Sequence, residues 1–440
     1  MTDEPTFPAE RSRLSRAIRA AIVDITPLRT GRGFRWLYFG QAGAELSRQL
    51  LIVAVPYQVF VLTGSSLLVG MVGLVQIAPL IICSILGGTA ADAFDRRRLL
   101  LLVEVGMTLT CVGFAVNTGE AAPLWPIFAL IAINAGITGV EAPARNAVIP
   151  ALVPYEQLPA AFALHQTLHQ TAQVVGPALA GVLIARHSLT ATYLLSAVAG
   201  VVTAVALLPL GPQKPAGASG QITVTAIREG WQYLRSVPVL QQIMLIDLNA
   251  MVFGMPRALF PVVGTVVLGG DATTVGLLHA APGAGALLGA VTTGWVSAIR
   301  RQGRVVVCAV VLWGAAIVAF GLTRNVAVAL VLLALAGAAD VISNVFRNTV
   351  LQTSVPDGLR GRLTAFKVAM SGGGPRLGDA ESGAVAALTT PTISIVSGGL
   401  ASIAGAALIA WRGRAIWNQS TEAELQPPPP PPLLDEPTAA

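Results

Sequence analysis

The side chains able to do chemistry in this sequence are ionisable groups set inside long apolar runs. Glu45 lies 11 residues into the first run, with Arg48 three residues further on the same helical face. At ~1.5 Å per residue Glu45 sits roughly 16 Å deep, near the middle of a bilayer. Asp247, Asn249 and Arg257 fall in the seventh run, Asn134 in the fourth, and Asp340 and Asn344 in the tenth. Arg376, Asp379 and Glu381 follow a Gly372-Gly373-Gly374-Pro375 interruption in the eleventh. Such a group costs about 2.5–3.5 kcal/mol at a bilayer centre, so it normally faces protein or water and marks an ion path. Burial disfavours a carboxylate and a neighbouring guanidinium favours it, so alternating exposure can load and release a proton. Glu45 is the first candidate for that work, followed by Asp340, Asp379 and Glu381. The bland reading makes Glu45–Arg48 and Arg376–Asp379 structural pairs. His165, His169 and Gln173 stand one helical turn apart in the fifth run. Two histidines at i, i+4 suit a metal, but no third ligand is evident, so a cavity-lining polar stripe is expected.

These groups need a scaffold, and composition says which. Of 440 residues, 54% are hydrophobic and 11% charged, with mean hydropathy +0.70. Soluble chains carry about 25% charge, so a water-soluble enzyme is excluded. Lys214 and Lys367 are the only lysines and neither lies in a phosphate-binding loop, so no ATP motor is present. Cys83, Cys111 and Cys308 lie in apolar runs and imply no disulfide framework. Twelve apolar stretches are long enough to cross a bilayer as helices: 34–62, 66–91, 98–117, 124–142, 160–185, 188–209, 239–267, 274–298, 305–322, 326–346, 363–388 and 392–411. The fold class is therefore all-α integral membrane, with a proton gradient rather than a cofactor as energy source. Spans 3, 6, 9 and 12 carry almost no charge and are expected to face lipid; Glu104 in span 3 lies near its cytoplasmic end.

Lys and Arg orient the chain. Residues through Arg35, the loops after even-numbered spans and the C-terminus hold 23 of the 28. Arg145 and Arg347 are counted among those loops. Positive loops stay inside, so both termini are expected in the cytoplasm of a cell whose inner membrane holds the protein. The net charge of +6 is thereby a topology signal rather than nucleic-acid binding. The expected segments are a basic N-terminus (1–33) with no removable signal peptide, a six-helix bundle (34–209), a cytoplasmic linker (210–238), a second bundle (239–411) and a disordered proline-rich tail (412–440).

The two bundles repeat one unit. Arg145-Asn146-Ala147-Val148-Ile149 returns as Arg347-Asn348-Thr349-Val350-Leu351, an offset of 202. Gly88 with the cluster ending at Arg98 matches Gly294 with the cluster ending at Arg304, offset 206, as does Val69-Gly70-Met71 with Val275-Gly276-Leu277. Pro56 matches Pro256 at offset 200. Collinear matches of this kind give two parallel six-helix pseudo-repeats, the organisation of transporters whose substrate site lies between halves.

Gly88-Thr89-Ala90-Ala91-Asp92-Ala93-Phe94-Asp95-Arg96-Arg97-Arg98 resembles the cytoplasmic loop signature of the major facilitator superfamily, with Gly88, Asp92, Arg96 and Arg97 matching and Asp95 where many members have Gly. The acidic variant, Met255-Pro256-Arg257 and Gln352-Thr353-Ser354-Val355-Pro356 are similar to the branch of enterobactin, macrolide and multidrug exporters. Gly176-Pro177-Ala178-Leu179-Ala180-Gly181 resembles, in part, the span 5 motif of proton-exchanging exporters. The resemblance covers about residues 30–411. It implies a rocker-switch in which Asp92 caps span 11 and pairs with Arg96 or Arg145 as a cytoplasmic gate, with Gly176, Pro177 and Gly181 at a hinge. It also implies a cavity lined from spans 1, 4, 7 and 10. The expected partners are a small-molecule substrate, protons and lipid, for a monomer that binds neither nucleic acid nor ATP. Proton-coupled efflux of a siderophore or drug-like amphiphile is the leading reading. Uptake on the same scaffold, and a non-transporting sensor or scaffold using its proline tail, are the rivals.

Overall fold

Apolar sequence in lipid has no water to satisfy its peptide groups, so it must close its own hydrogen bonds, and helices do this within one segment. A computed structural model describes residues 24–213, 231–292, 299, 301–353, 355 and 357–413. The linker from 214 to 230, the tail from 414 and the first 23 residues lie outside them. Twelve long helices follow one another among the described residues: α1 Arg32–Thr63, α2 Ser66–Ala93, α3 Arg96–Val116, α4 Leu124–Leu152, α5 Leu158–Arg186, α6 Leu189–Leu207, α7 Pro238–Phe253, α8 Ala272–Val291, α9 Gln302–Leu322, α10 Val326–Thr353, α11 Asp357–Leu388 and α12 Pro391–Arg412. A short helix, Thr26–Thr30, precedes α1. Among the described residues, ten spans are long and apolar enough to cross a membrane, one of them α7 with its extension to Val267.

Two boundaries depart from expectation. The Gly-Gly-Gly-Pro run does not interrupt α11, which passes through it. The break falls instead in the seventh span, which the apolar pattern made continuous. There α7 stops at Phe253, and a 3₁₀ turn Arg257–Leu259, one α turn and a wide π turn Val263–Val267 complete the crossing. Pro256 and Pro261 remove backbone donors at the break. The carboxylate of Asp379 accepts the N–H of Ala258 at 3.0 Å and so ties the broken segment to α11. α4 and α10 run further than their apolar stretches, to Leu152 and Thr353, despite Pro143 and Pro150 inside α4.

Contacts divide the chain into two units. One holds residues up to 62, 75–221 and 271–280; the other holds 63–74, 222–270 and 281 onward. In the first, α3 packs on α4 and α6; in the second, the repeat-equivalent α9 packs on α10 and α12. Each unit also contains a glycine–glycine crossing that matches one in the other. In the first, a Cβ on Gly181 would meet the Ala272 carbonyl oxygen at 2.6 Å and the Gly276 Cα at 2.9 Å. In the second, a Cβ on Gly383 would meet the Ser66 carbonyl oxygen at 2.6 Å and the Gly70 Cα at 2.9 Å. Gly64 and Gly269 turn the chain into α2 and α8 at φ +63° and +65°, a region glycine enters without penalty. These positions sit in register in the two repeats.

The loop signature has local duties in the first unit. Asp95 caps α3, accepting the N–H of Arg97 at 3.0 Å, and also accepts the N–H of Gln213 at 2.9 Å. Arg97 donates to the carbonyls of Leu207 (3.2 Å) and Leu208 (2.6 Å) at the end of α6. Arg96 donates to Ala91 and Ala147, each at 3.1 Å. Cations on the free carbonyls of a helix C-terminus are favourable.

Gly383→Val forces the α2–α11 backbones apart and is expected to cost at least the ~1–3 kcal/mol typical of overpacking. Gly373→Ala, whose Cβ meets nothing within 4 Å, leaves stability unchanged or slightly raised. Thermal unfolding of both variants in detergent reads the difference.

Candidate functional site

A buried charge must find its partner within the fold, and this need builds one cluster in each unit. In the first, Glu45 (α1), Glu104 (α3), Glu141 and Arg145 (α4) are each 7% exposed or less. Arg145 lies 3.6 Å from Glu104 and also pairs with Glu141 one turn before it. Arg48 lies 3.2 Å from Glu141 and 3.8 Å from Glu45. The second oxygen of Glu45 faces His169 Nδ1 at 3.1 Å, and His169 Nε2 meets the Gln173 amide nitrogen at 2.8 Å. One turn earlier Gln41 meets His165. The stripe on α5 thus faces α1. A small recess of about 10 Å³, room for roughly one water, opens beside Gln41, Glu104, Arg145 and Thr203.

In the second unit Arg347 (α10), 3% exposed, pairs with Asp247 (α7) at 2.8 Å and with Asp340 at 3.4 Å. The Asp340 side chain is 40% exposed, against 4% for Asp247. Lys367 on α11 donates to Asn344 at 3.4 Å and to Asn348. Arg257 is exposed at the break in α7. Arg376 donates to the Gly372 carbonyl, and Glu381 is half-buried without an ion pair among the described residues.

Several expectations are corrected here. Arg145 and Arg347 are not loop charges. Both lie inside helices and are neutralised by acids from neighbouring helices, which is why α4 and α10 continue past them. Arg145 is committed to Glu104 and Glu141; the partner of Asp92 is Arg96, at 3.9 Å. Glu104 is 2% exposed and turns into its unit, so α3 does not present it to lipid. Asn134 and Asn249 do not join the charge clusters: Asn134 donates to Met107 and Thr110 on α3, each at 3.2 Å, and Asn249 donates to the Ser402 carbonyl on α12 at 2.9 Å. An amide inside a span must be satisfied, and a packed neighbour served first. In the hinge motif, Gly176 abuts Gln49 of α1 and Gly181 abuts α8, while Pro177 sits inside an unbroken α5. A Cβ at Gly88 would meet nothing within 4 Å, so packing does not require glycine there.

Glu141 was absent from the sequence reading, as were the Glu45–His169 and Asp247–Arg347 pairings. A signal existed: Glu45 and Asp247 share the 202-residue offset of Arg145 and Arg347.

Comparison with known proteins enters at this point. A family profile described as a transmembrane secretion effector of the major facilitator type matches residues 22–438. The enterobactin exporter of Citrobacter koseri is 28% identical over 389 residues, covering 88% of this chain and 92% of that protein. That of Shigella boydii is 27% identical over 379 residues, covering 86% and 91%. Among solved structures, a POT-family transporter in complex with 5-aminolevulinic acid aligns with TM-score 0.71 at 12% identity, over 88% of this chain and 97% of that one. The nucleoside transporter NupG aligns with TM-score 0.68 at 13% identity, over 88% and 100%.

Removing Arg347 alone leaves Asp247 buried and unpaired. Arg347→Met is expected to cost about 3–5 kcal/mol, and adding Asp247→Asn recovers much of it. Unfolding of the single and double variants in detergent, combined as a thermodynamic cycle, checks this.

Proposed function

The chain belongs to the transmembrane secretion effector family of the major facilitator superfamily, and from that membership we propose that it exports a siderophore or similar amphipathic organic compound across the cytoplasmic membrane in exchange for protons. It is a multi-pass membrane transporter, not an enzyme. The observation that carries the export reading is the alignment with enterobactin exporters over about nine-tenths of both chains. That substrate is a catecholate, and it would suit a protein in which Arg257 is exposed and Arg48 is part-exposed beside its acids.

Proton exchange draws its support from charge arithmetic in the first unit. Glu45, Glu104 and Glu141 face Arg48 and Arg145, three acids against two guanidiniums. The acid in excess leaves one negative charge that a carried proton would balance. Glu45 is the member that is not committed to Arg145, and it serves as the coupling carboxylate. Each proton moved across 100 mV supplies ~2.3 kcal/mol. Alternating access would open and close the cytoplasmic side through Asp92 and its arginine partner, with both termini in the cytoplasm. No nucleotide or metal enters the scheme, and the protein acts as a monomer.

In a bacterium deleted for its own catecholate exporter, expression of this chain is expected to restore siderophore release into the medium. Glu45→Gln lowers that release at least tenfold at unchanged membrane abundance. Full release by the variant would remove Glu45 from the coupling step, and no release by the wild type would remove catecholates from the substrate class.

A further inference from the structure

α1 and α5 meet through two rungs. Gln41 and Glu45 are one turn apart on α1, His165 and His169 one turn apart on α5, and both rungs join residues 124 apart in sequence. In the upper rung the Gln173 amide nitrogen can only donate, so His169 Nε2 accepts and the ring proton sits on Nδ1, aimed at Glu45. Turning the Gln173 amide over presents its oxygen to Nε2 instead, and the same ring then holds two protons without losing a hydrogen bond. Access differs sharply within the pair: the His169 side chain is 36% exposed and that of Glu45 3%. Glu45 therefore meets water chiefly through its neighbour.

The charged and titratable groups around the pair are Arg48 on α1, Glu104 on α3, Glu141 and Arg145 on α4, and His165 on α5. With Glu45 counted, three acids face two guanidiniums, which leaves a single positive charge to be supplied. The second repeat supplies none this way: Asp247 pairs directly with Arg347, and Ser371 stands 202 residues after His169. The imidazole accompanies the repeat in which the acid and the α4-type arginine are not directly paired.

We propose that His169 is the proton port of the coupling site, a positioning residue that receives a proton from water on Nε2 and passes its Nδ1 proton to Glu45. One proton enters and one is handed on: a hydronium proton bonds to Nε2 as the Gln173 amide turns its oxygen toward it, leaving water; the Nδ1–H bond breaks, and Glu45 Oε2 becomes O–H while the ring returns to neutrality as the Nε2–H tautomer. No electrons move. The proposal rests on the reading of Glu45 as the coupling carboxylate.

Two measurements on the full-length protein test it. In lipid nanodiscs, ¹⁵N-histidine spectra, with the His169 signal assigned by its loss in His169→Asn, are expected to show the Nδ1–H tautomer in wild type and the Nε2–H tautomer in Glu45→Ala. The same tautomer in both overturns the pairing. In proteoliposomes carrying enterobactin and a pH dye, His169→Asn is expected to flatten the pH dependence of exchange and to slow dye-detected proton movement at least fivefold more than enterobactin binding. A profile of unchanged shape and lower height assigns His169 to structure alone and overturns the port. The tautomer experiment needs no substrate, so it decides the pairing whether or not enterobactin is carried.

Discussion

A guanidinium enclosed by helices has to be neutralised where it stands, and much of this molecule is arranged around that requirement. Arg145 gathers acids from α3 and from its own helix; Arg347 gathers one from α7 and one from its own helix. Neither arginine can leave its acids without stranding them, which fixes the rotation of the helices involved. The two repeats meet the same demand differently. In the second, an aspartate answers the arginine directly. In the first, two extra glutamates on α3 and α4 take over that task, and the acid on α1 turns to a histidine. A duplicated structural pair has thereby become an asymmetric one, with a titratable group released from anchoring duty on one side only.

The helical spans, the duplication and the family were readable because they rest on long-range statistics: apolar length, charge bias and collinear spacing. The clusters were less so. A span was ended where its apolar run met Arg145 or Arg347, because polarity alone does not reveal that a glutamate one turn earlier and another on α3 await the charge. Asn134 and Asn249 fall in spans expected to line a cavity, but sequence gives no azimuth; their amides bond to α3 and α12. Four helix-unfriendly residues in α11 failed to break it, since glycine costs only about 1 kcal/mol per residue in a helix and packing outweighs it. The break in α7 instead follows two prolines five residues apart and an aspartate from α11 that accepts a freed N–H.

The loop signature shows how one short motif serves several masters. Asp95 starts α3 and holds the chain leaving α6, while Arg96 and Arg97 close the carbonyl ends of α2 and α6. A glycine at position 95 would leave the N–H groups of Arg97 and Gln213 without that carboxylate. The acidic variant therefore adds rigidity to the first unit alone.

The paired glycine crossings carry a historical corollary. Gly70 touches Gly383, and Gly181 touches Gly276; in repeat numbering these are the same two positions meeting twice, with the repeats exchanged. A six-helix polypeptide standing alone would leave both seams open. Two identical copies would seal them, the second helix of each against the fifth of the other. Such contacts are what duplication of one six-helix unit would leave in a single chain.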